Sequence, residues 1–184
     1  MKLLLSALVF LLSVSATASV GQLSVKGGSW SFETENVKST SQSSSGIGAY
    51  SVEGAYKVAP KVLGVFGINF LMSDIYTGSS GYGFDLGIKY FPVSDAGTIN
   101  IESDSSSIFI QEKWRPYLGF FFRQRIFNLA LSSSYLGPGL SAGVDYAWNK
   151  EWFLNAELRY DYLFGNGDAL AKQMNILVGL GVEF

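Results

Sequence analysis

The chain has 184 residues, enough for one domain, or for a short export signal followed by one domain. Its formal net charge of -2 lacks the basic surplus that a nucleic-acid partner requires, and nucleic acid is set aside. No cysteine and no histidine is present, which excludes disulfides, thiol chemistry, Cys- or His-ligated metals and every Ser-His or Cys-His catalytic arrangement. Charged residues are only 15% of the chain and aromatic residues also 15%, a balance poor in charge for a water-soluble domain.

The N-terminus reads as an export signal. Lys2 supplies positive charge, residues 3–14 form a short apolar run, and Ala16-Thr17-Ala18 is a small-x-small cleavage pattern. Cleavage after Ala18 is expected, leaving residues 19–184 as one exported domain.

From Ser19 onward the dominant pattern is apolar alternation with period two, the mark of strands with one apolar face. The first strand, about residues 22–34, is expected to change phase. Leu23 and Val25 are odd-numbered while Trp30 and Phe32 are even, and a bulge at Gly27-Gly28 would put all four on one face. Next, Tyr50, Val52, Tyr56 and Val58 oppose Ser51, Glu53, Ala55 and Lys57, and an apolar row resumes after Pro60 through Phe66, Ile68 and Phe70. Tyr82, Phe84, Leu86, Ile88 and Tyr90 then oppose Asp85 and Lys89, and Trp114, Leu118, Phe120 and Phe122 oppose Lys113, Arg115, Gly119 and Arg123.

The three final strands are the cleanest. Leu140, Ala142, Val144, Tyr146 and Trp148 oppose Asp145. Trp152, Leu154, Leu158, Tyr160 and Tyr162 oppose Glu157, Arg159 and Asp161. Met174, Ile176, Val178, Leu180, Val182 and Phe184 oppose Asn175, Gly179 and Glu183. The count is about eight strands, and each long run suffices for a tilted crossing of a bilayer.

Turn lengths add an independent constraint, because residues facing each other across a hairpin share a face. Pairing Trp148 with Trp152, and Val58 with Val62, leaves three-residue turns. The other ends carry longer polar stretches, residues 35–46, 73–80, 124–138 and 165–171. Short turns at one end and long loops at the other define an all-β, closed, antiparallel up-and-down transmembrane barrel with periplasmic termini. Residues 92–112 exceed a short turn, and two small strands, 98–102 and 108–112, are expected outside the membrane.

Alternation alone also suits a soluble lipocalin-like barrel or sandwich with its apolar face inward. The polar face decides between them. It carries Gly, Ala and Ser with widely spaced charges, which fits a narrow lumen better than a solvated surface. Glu53, Lys57, Asp85, Lys89, Arg115, Arg123, Asp145, Glu157, Arg159 and Asp161 form the predicted lumen network, with Lys113 and Glu183 on the same face. Opposite charges there can neutralise one another. Aromatics at both ends of the apolar runs, Tyr56, Tyr90, Trp114, Trp148 and Trp152 at one and Tyr50, Tyr82, Tyr160 and Tyr162 at the other, suit interfacial girdles.

The last strand, residues 175–184, alternates apolar residues and ends the chain on Phe184. It resembles the C-terminal strand that the barrel assembly machinery recognises, and the mature chain resembles the small outer-membrane β-barrels of the OmpA-type, OmpX-like and OmpW-like group. That resemblance implies fold, outer-membrane location, contact with outer-membrane lipids and lipopolysaccharide, and Phe184 as the assembly signal. It implies no cofactor and no catalytic or metal-binding residue.

Glu157 and Asp161 lie roughly 13 Å apart along one strand, too far to share a proton without partners from other strands. Asp104 and Asp168 lie in polar loops without an EF-hand spacing. Three roles follow: a structural or surface-interaction barrel plugged by charge, a narrow passage for small or apolar solutes, or the soluble binder. For the passage, Phe127, Leu129 and Leu131 are a possible apolar loop site, unless the flanking strands simply extend through them.

Overall fold

The computed structural model describes residues 21–36, 39–72, 80–97, 99–103, 106–128, 133–165 and 169–184. The export signal, the residues Asp104 and Asp168, and Leu129 and Leu131 fall outside them.

Among the described residues ten strands are formed: β1 (Gly21–Asn36), β2 (Ser39–Ala59), β3 (Val62–Met72), β4 (Ser80–Tyr90), β5 (Ile99–Ser103), β6 (Ser106–Ile110), β7 (Trp114–Asn128), β8 (Ser133–Ala147), β9 (Trp152–Gly165) and β10 (Leu170–Glu183). Eight close into an antiparallel barrel in the order β1-β10-β9-β8-β7-β4-β3-β2, and β5 and β6 pair only with each other. The closing seam is made by the chain ends. Gly21 donates its N–H to the Phe184 carbonyl at 2.7 Å, and Phe184 donates its own to Gly21 at 2.9 Å. Closure leaves no edge strand in the barrel, as a lipid environment demands.

The alternation is realised with its apolar side outward. Leu86, Leu118, Phe120, Leu140, Ile176 and Val178 are among the large exposed side chains, whereas Asp85, Arg123, Arg159 and Asp161 are fully buried inside. This arrangement removes the lipocalin-like alternative, which needs the apolar face inward. Exposed aromatics ring both ends of the wall: Tyr56, Tyr90, Trp114, Trp148 and Trp152 near the turns, and Tyr50, Tyr82 and Tyr160 near the loops. Tyr162 is half-buried against Phe164.

Three expectations are corrected in detail. The first strand keeps one phase: Lys26, Trp30 and Phe32 all face inward, and the register shift belongs to β2, where Gly28 pairs with Ala49 but Ser29 with Ile47. The residue skipped is Gly48, so the bulge sits opposite the predicted place. The β2–β3 turn is shorter than expected, with Ala59 paired to Val62 and Val58 taken up in a bulge. Finally, the strands run on through most of residues 35–46 and 124–138, where backbone pairing of β1 with β2 and of β7 with β8 continues beyond the apolar band.

The β8–β9 turn follows the expected register. Trp148 donates its N–H to the Trp152 carbonyl at 2.9 Å, and the Asn149 side-chain oxygen accepts from the N–H groups of Glu151 and Trp152 at 2.9 and 2.8 Å. An asparagine in this role shapes the turn locally.

The strands β5 and β6 form the expected ribbon between β4 and β7, and the segment leading to it has a packing role that the sequence did not suggest. Phe91 donates to the Lys61 carbonyl at 2.9 Å and Ala96 to the Pro60 carbonyl at 2.8 Å, strapping residues 91–96 across the turn end. The strap leaves through Gly97, whose φ of 113° favours glycine.

Candidate functional site

The lumen of an eight-stranded barrel is just wide enough for its own side chains. Among the described residues it buries six cations, Lys26, Lys89, Arg115, Arg123, Arg125 and Arg159, and six anions, Glu53, Asp85, Asp145, Glu157, Asp161 and Glu183. The strands' pleat brings them there, since every second residue of each strand points inward.

Arg159 of β9 is the hub. Its guanidinium meets Glu53 of β2, Glu157 at 3.0 Å and Asp85 of β4 at 3.2 Å, and donates to the Asn69 side-chain oxygen at 3.0 Å. Lys26 joins Glu53 at 2.7 Å and also meets Glu157, while Lys89 reaches Glu53 at 2.8 Å. Nearer the loops, Arg125 binds Asp85 at 2.6 Å, Asp161 at 3.5 Å and the Gln173 side-chain oxygen at 3.1 Å. Arg123 meets Asp161 and lies 3.5 Å from Asp85. The nine charged residues form one continuous network across five strands. Every one of these charges except Lys89 has at least two ionic partners, and Lys89 adds the face of the Tyr117 ring to Glu53, as a dry interior requires.

A second polar group lies closer to the turns. Arg115 binds Glu183 at 2.8 Å, with Gln22 donating to the same carboxylate at 3.2 Å. The Asn155 amide donates to Asp145 at 2.6 Å and to the Tyr117 hydroxyl at 2.9 Å. Lys89 links the two groups, its ammonium 4.8 Å from the centre of the Tyr117 ring.

Apolar layers bracket the main network. Towards the loops, Trp30, Phe32, Phe127 and Tyr135 cluster with ring centres 4.5 to 6.3 Å apart, joined by Leu71, Leu163 and Leu177. Towards the turns, Leu63, Val65, Tyr117 and Phe121 pack with Phe91 and Ala96 of the strap. Inward glycines make room for these rings: a Cβ on Gly143 would sit 2.5 Å from the Tyr117 ring, and one on Gly81 would sit 2.8 Å from Phe127. Along β7 the inward order is therefore Tyr117, Phe121, Arg123, Arg125, Phe127: apolar, ionic, apolar.

Of the residues singled out from sequence, Glu53, Asp85, Lys89, Arg123, Glu157, Arg159 and Asp161 meet in the main network, and Arg115 and Asp145 stand in the second group. Lys57 takes no part: it is half-buried beside the β2 bulge, too near the turn to reach the carboxylates. Lys113 is exposed just before β7. Phe127 lies within β7 and faces the lumen rather than a loop surface. Lys26 and Arg125 were missed. Unbroken alternation from Val25 would have found the first, and continuing β7 past Arg123 would have found the second. Among the described residues no acidic cluster is disposed to hold a metal ion.

A closed barrel with paired charge inside and apolar side chains outside is a transmembrane protein of the outer-membrane type. The chain belongs to the outer membrane protein beta-barrel domain family, whose model matches residues 4–184. Its fold is similar to that of Neisserial surface protein A, with a TM-score of 0.60 at 15% identity, covering 89% of this chain and 97% of that one. It is also similar to the N-terminal barrel domain of Pseudomonas aeruginosa OprF, with a TM-score of 0.55 at 16% identity and 89% and 99% coverage. The outer membrane protein OprG of the same organism gives 0.52 at 13% identity, covering 89% and 96%. No curated protein sequence matches the chain.

Proposed function

We propose that this protein is a non-enzymatic outer-membrane barrel with a structural or surface-interaction role, its lumen plugged and its loops presented at the cell surface. One observation carries the reading: the ionic network fills the mid-lumen between two apolar layers. A permeating ion would have to displace paired groups in a space with little water, at a cost of several kcal/mol for each charge exposed without its partner. The carboxylates that hydrolytic chemistry would need are engaged by guanidinium or ammonium groups, which favours the structural role.

A passage for small apolar solutes would use the cluster of Trp30, Phe32, Phe127 and Tyr135 as its vestibule. The rings occupy that volume themselves, and this weighs for the plug. Liposomes carrying the full chain separate the readings through swelling in small sugars and uptake of a small apolar dye. Neither swelling nor uptake above protein-free liposomes is expected. Swelling at porin-like rates would overturn the plug, and dye uptake abolished by Phe127→Ser would favour the passage.

A further inference from the structure

The ribbon of β5 and β6 stands apart from the barrel that it interrupts. Among the described residues its strands pair only with each other, and it lies at the turn end, between Tyr90 of β4 and Trp114 of β7. In outer-membrane barrels the end with short turns faces the periplasm. The strap fixes the root of the ribbon. Phe91 and Ala96 are buried in the floor of the barrel, their N–H groups are held by the Lys61 and Pro60 carbonyls, and the chain leaves for β5 through Gly97.

Register sorts the ribbon's residues onto two unlike faces. Ile99 pairs with Ile110 and Ile101 with Ile108, so four isoleucines share one face, and Ile110 is 48% exposed. The opposite face carries Asn100 and Glu102, paired with Phe109 and Ser107. A ribbon of two strands is marginal in water without a third strand or a surface to pack on. Among the described residues no strand lies beside either outer edge, which leaves rows of backbone N–H and C=O groups to offer.

Charge selects what completes the ribbon. Residues 91–112 contain Asp95, Glu102, Asp104 and Glu112 but no lysine or arginine. A second copy would bring the same carboxylates against these, and a lipid surface with anionic headgroups would repel them. A cationic strand is drawn in by the same field.

We propose that the ribbon is a periplasmic docking platform for an extended, cationic segment of another protein, which adds to it as a third strand. Main-chain hydrogen bonds hold the segment, and the two faces set its pattern: apolar side chains beside the isoleucines alternate with lysine or arginine beside Glu102. The platform lies across the membrane from the loops, so it stands whether or not the loops bind a partner or the lumen conducts.

The test holds the full chain in phosphatidylcholine nanodiscs and follows the fluorescence anisotropy of a labelled octapeptide that alternates valine with lysine. Saturable binding is expected. A peptide with glutamate in place of lysine should bind about tenfold more weakly or worse. One with its valines and lysines in separate blocks, which cannot divide them between two faces, should bind about fivefold more weakly. Ile101→Ser should weaken binding about tenfold by removing apolar surface. Glu102→Gln, which leaves the isoleucine face intact, should weaken it about threefold. Leu118→Ala, on the outer wall, should change nothing, and heat-shifted gel mobility verifies that every variant is closed. The platform is overturned by no saturable binding, by equal affinity for the blocked peptide, or by unchanged affinity in either ribbon variant. A dimer that Ile101→Ser dissociates would overturn it in favour of a second copy. Binding that appears only when detergent replaces the bilayer would overturn it in favour of lipid.

Discussion

Lys26 and Glu157 are separated by 131 residues in sequence, yet the ammonium of one lies against the carboxylate of the other in the middle of the barrel. The contact ties β1, beside the closing seam, to β9, and it exists only when the ring is shut. The charge network is therefore a consequence of closure as well as a support for it.

A double-mutant cycle tests that coupling. Lys26→Met or Glu157→Gln alone should each lower unfolding stability by about 3 kcal/mol, because each leaves a buried charge short of its partner. The pair together should cost about 1–3 kcal/mol less than the sum of the single changes. Urea unfolding in detergent micelles or liposomes measures both, and strict additivity would contradict direct coupling.

Arg159 touches Glu53, Glu157 and Asp85, so its loss leaves three buried carboxylates short of a partner at once. Arg159→Met should lower stability by about 3–5 kcal/mol. It should also make brief openings of the lumen more frequent than in the parent protein. Arg159→Lys, which keeps the charge but loses the planar fork, should fall between the two.

The strap should matter for stability at the turn end. Phe91 is fully buried against Tyr117, with ring centres 5.5 Å apart. Phe91→Ala should cost about 3 kcal/mol. Limited proteolysis of the folded barrel should then cut residues 91–113 faster than in the parent chain, while the barrel strands stay protected. Equal cleavage rates would show that the strap does not hold that segment.

The outward face offers a contrast between lipid and water. Leu86 is 66% exposed on the outer wall, midway along β4 between the girdle residues Tyr82 and Tyr90. In liposomes Leu86→Arg should destabilise the barrel by about 2–4 kcal/mol, the cost of a cation near the bilayer midplane. A soluble protein would tolerate an arginine at so exposed a position within about 0.5 kcal/mol.

Most of the fold was legible because one signal, period-two alternation, sets both the strand and its orientation. The β8–β9 turn was equally clear, since two tryptophans and an intervening Asn-Lys-Glu fix its register. Reading failed where alternation was judged by residue size. Trp30 and Phe32 look like lipid-facing residues, but they fill the loop-side end of the lumen, and assigning them outward displaced the bulge and hid Lys26. Arg125 was lost for a related reason: polar composition ended β7 too early, although the strand continues above the apolar band. The strap was illegible because its role depends on two carbonyls, of Pro60 and Lys61, brought near only by the closed ring.

The most direct test of the plugged lumen is conductance of the full chain inserted into a planar lipid bilayer at neutral pH. The ionic layer between apolar layers predicts a silent membrane with at most rare, brief openings, which Arg159→Met makes more frequent. Steady, long-lived channels formed by the unaltered protein would contradict it.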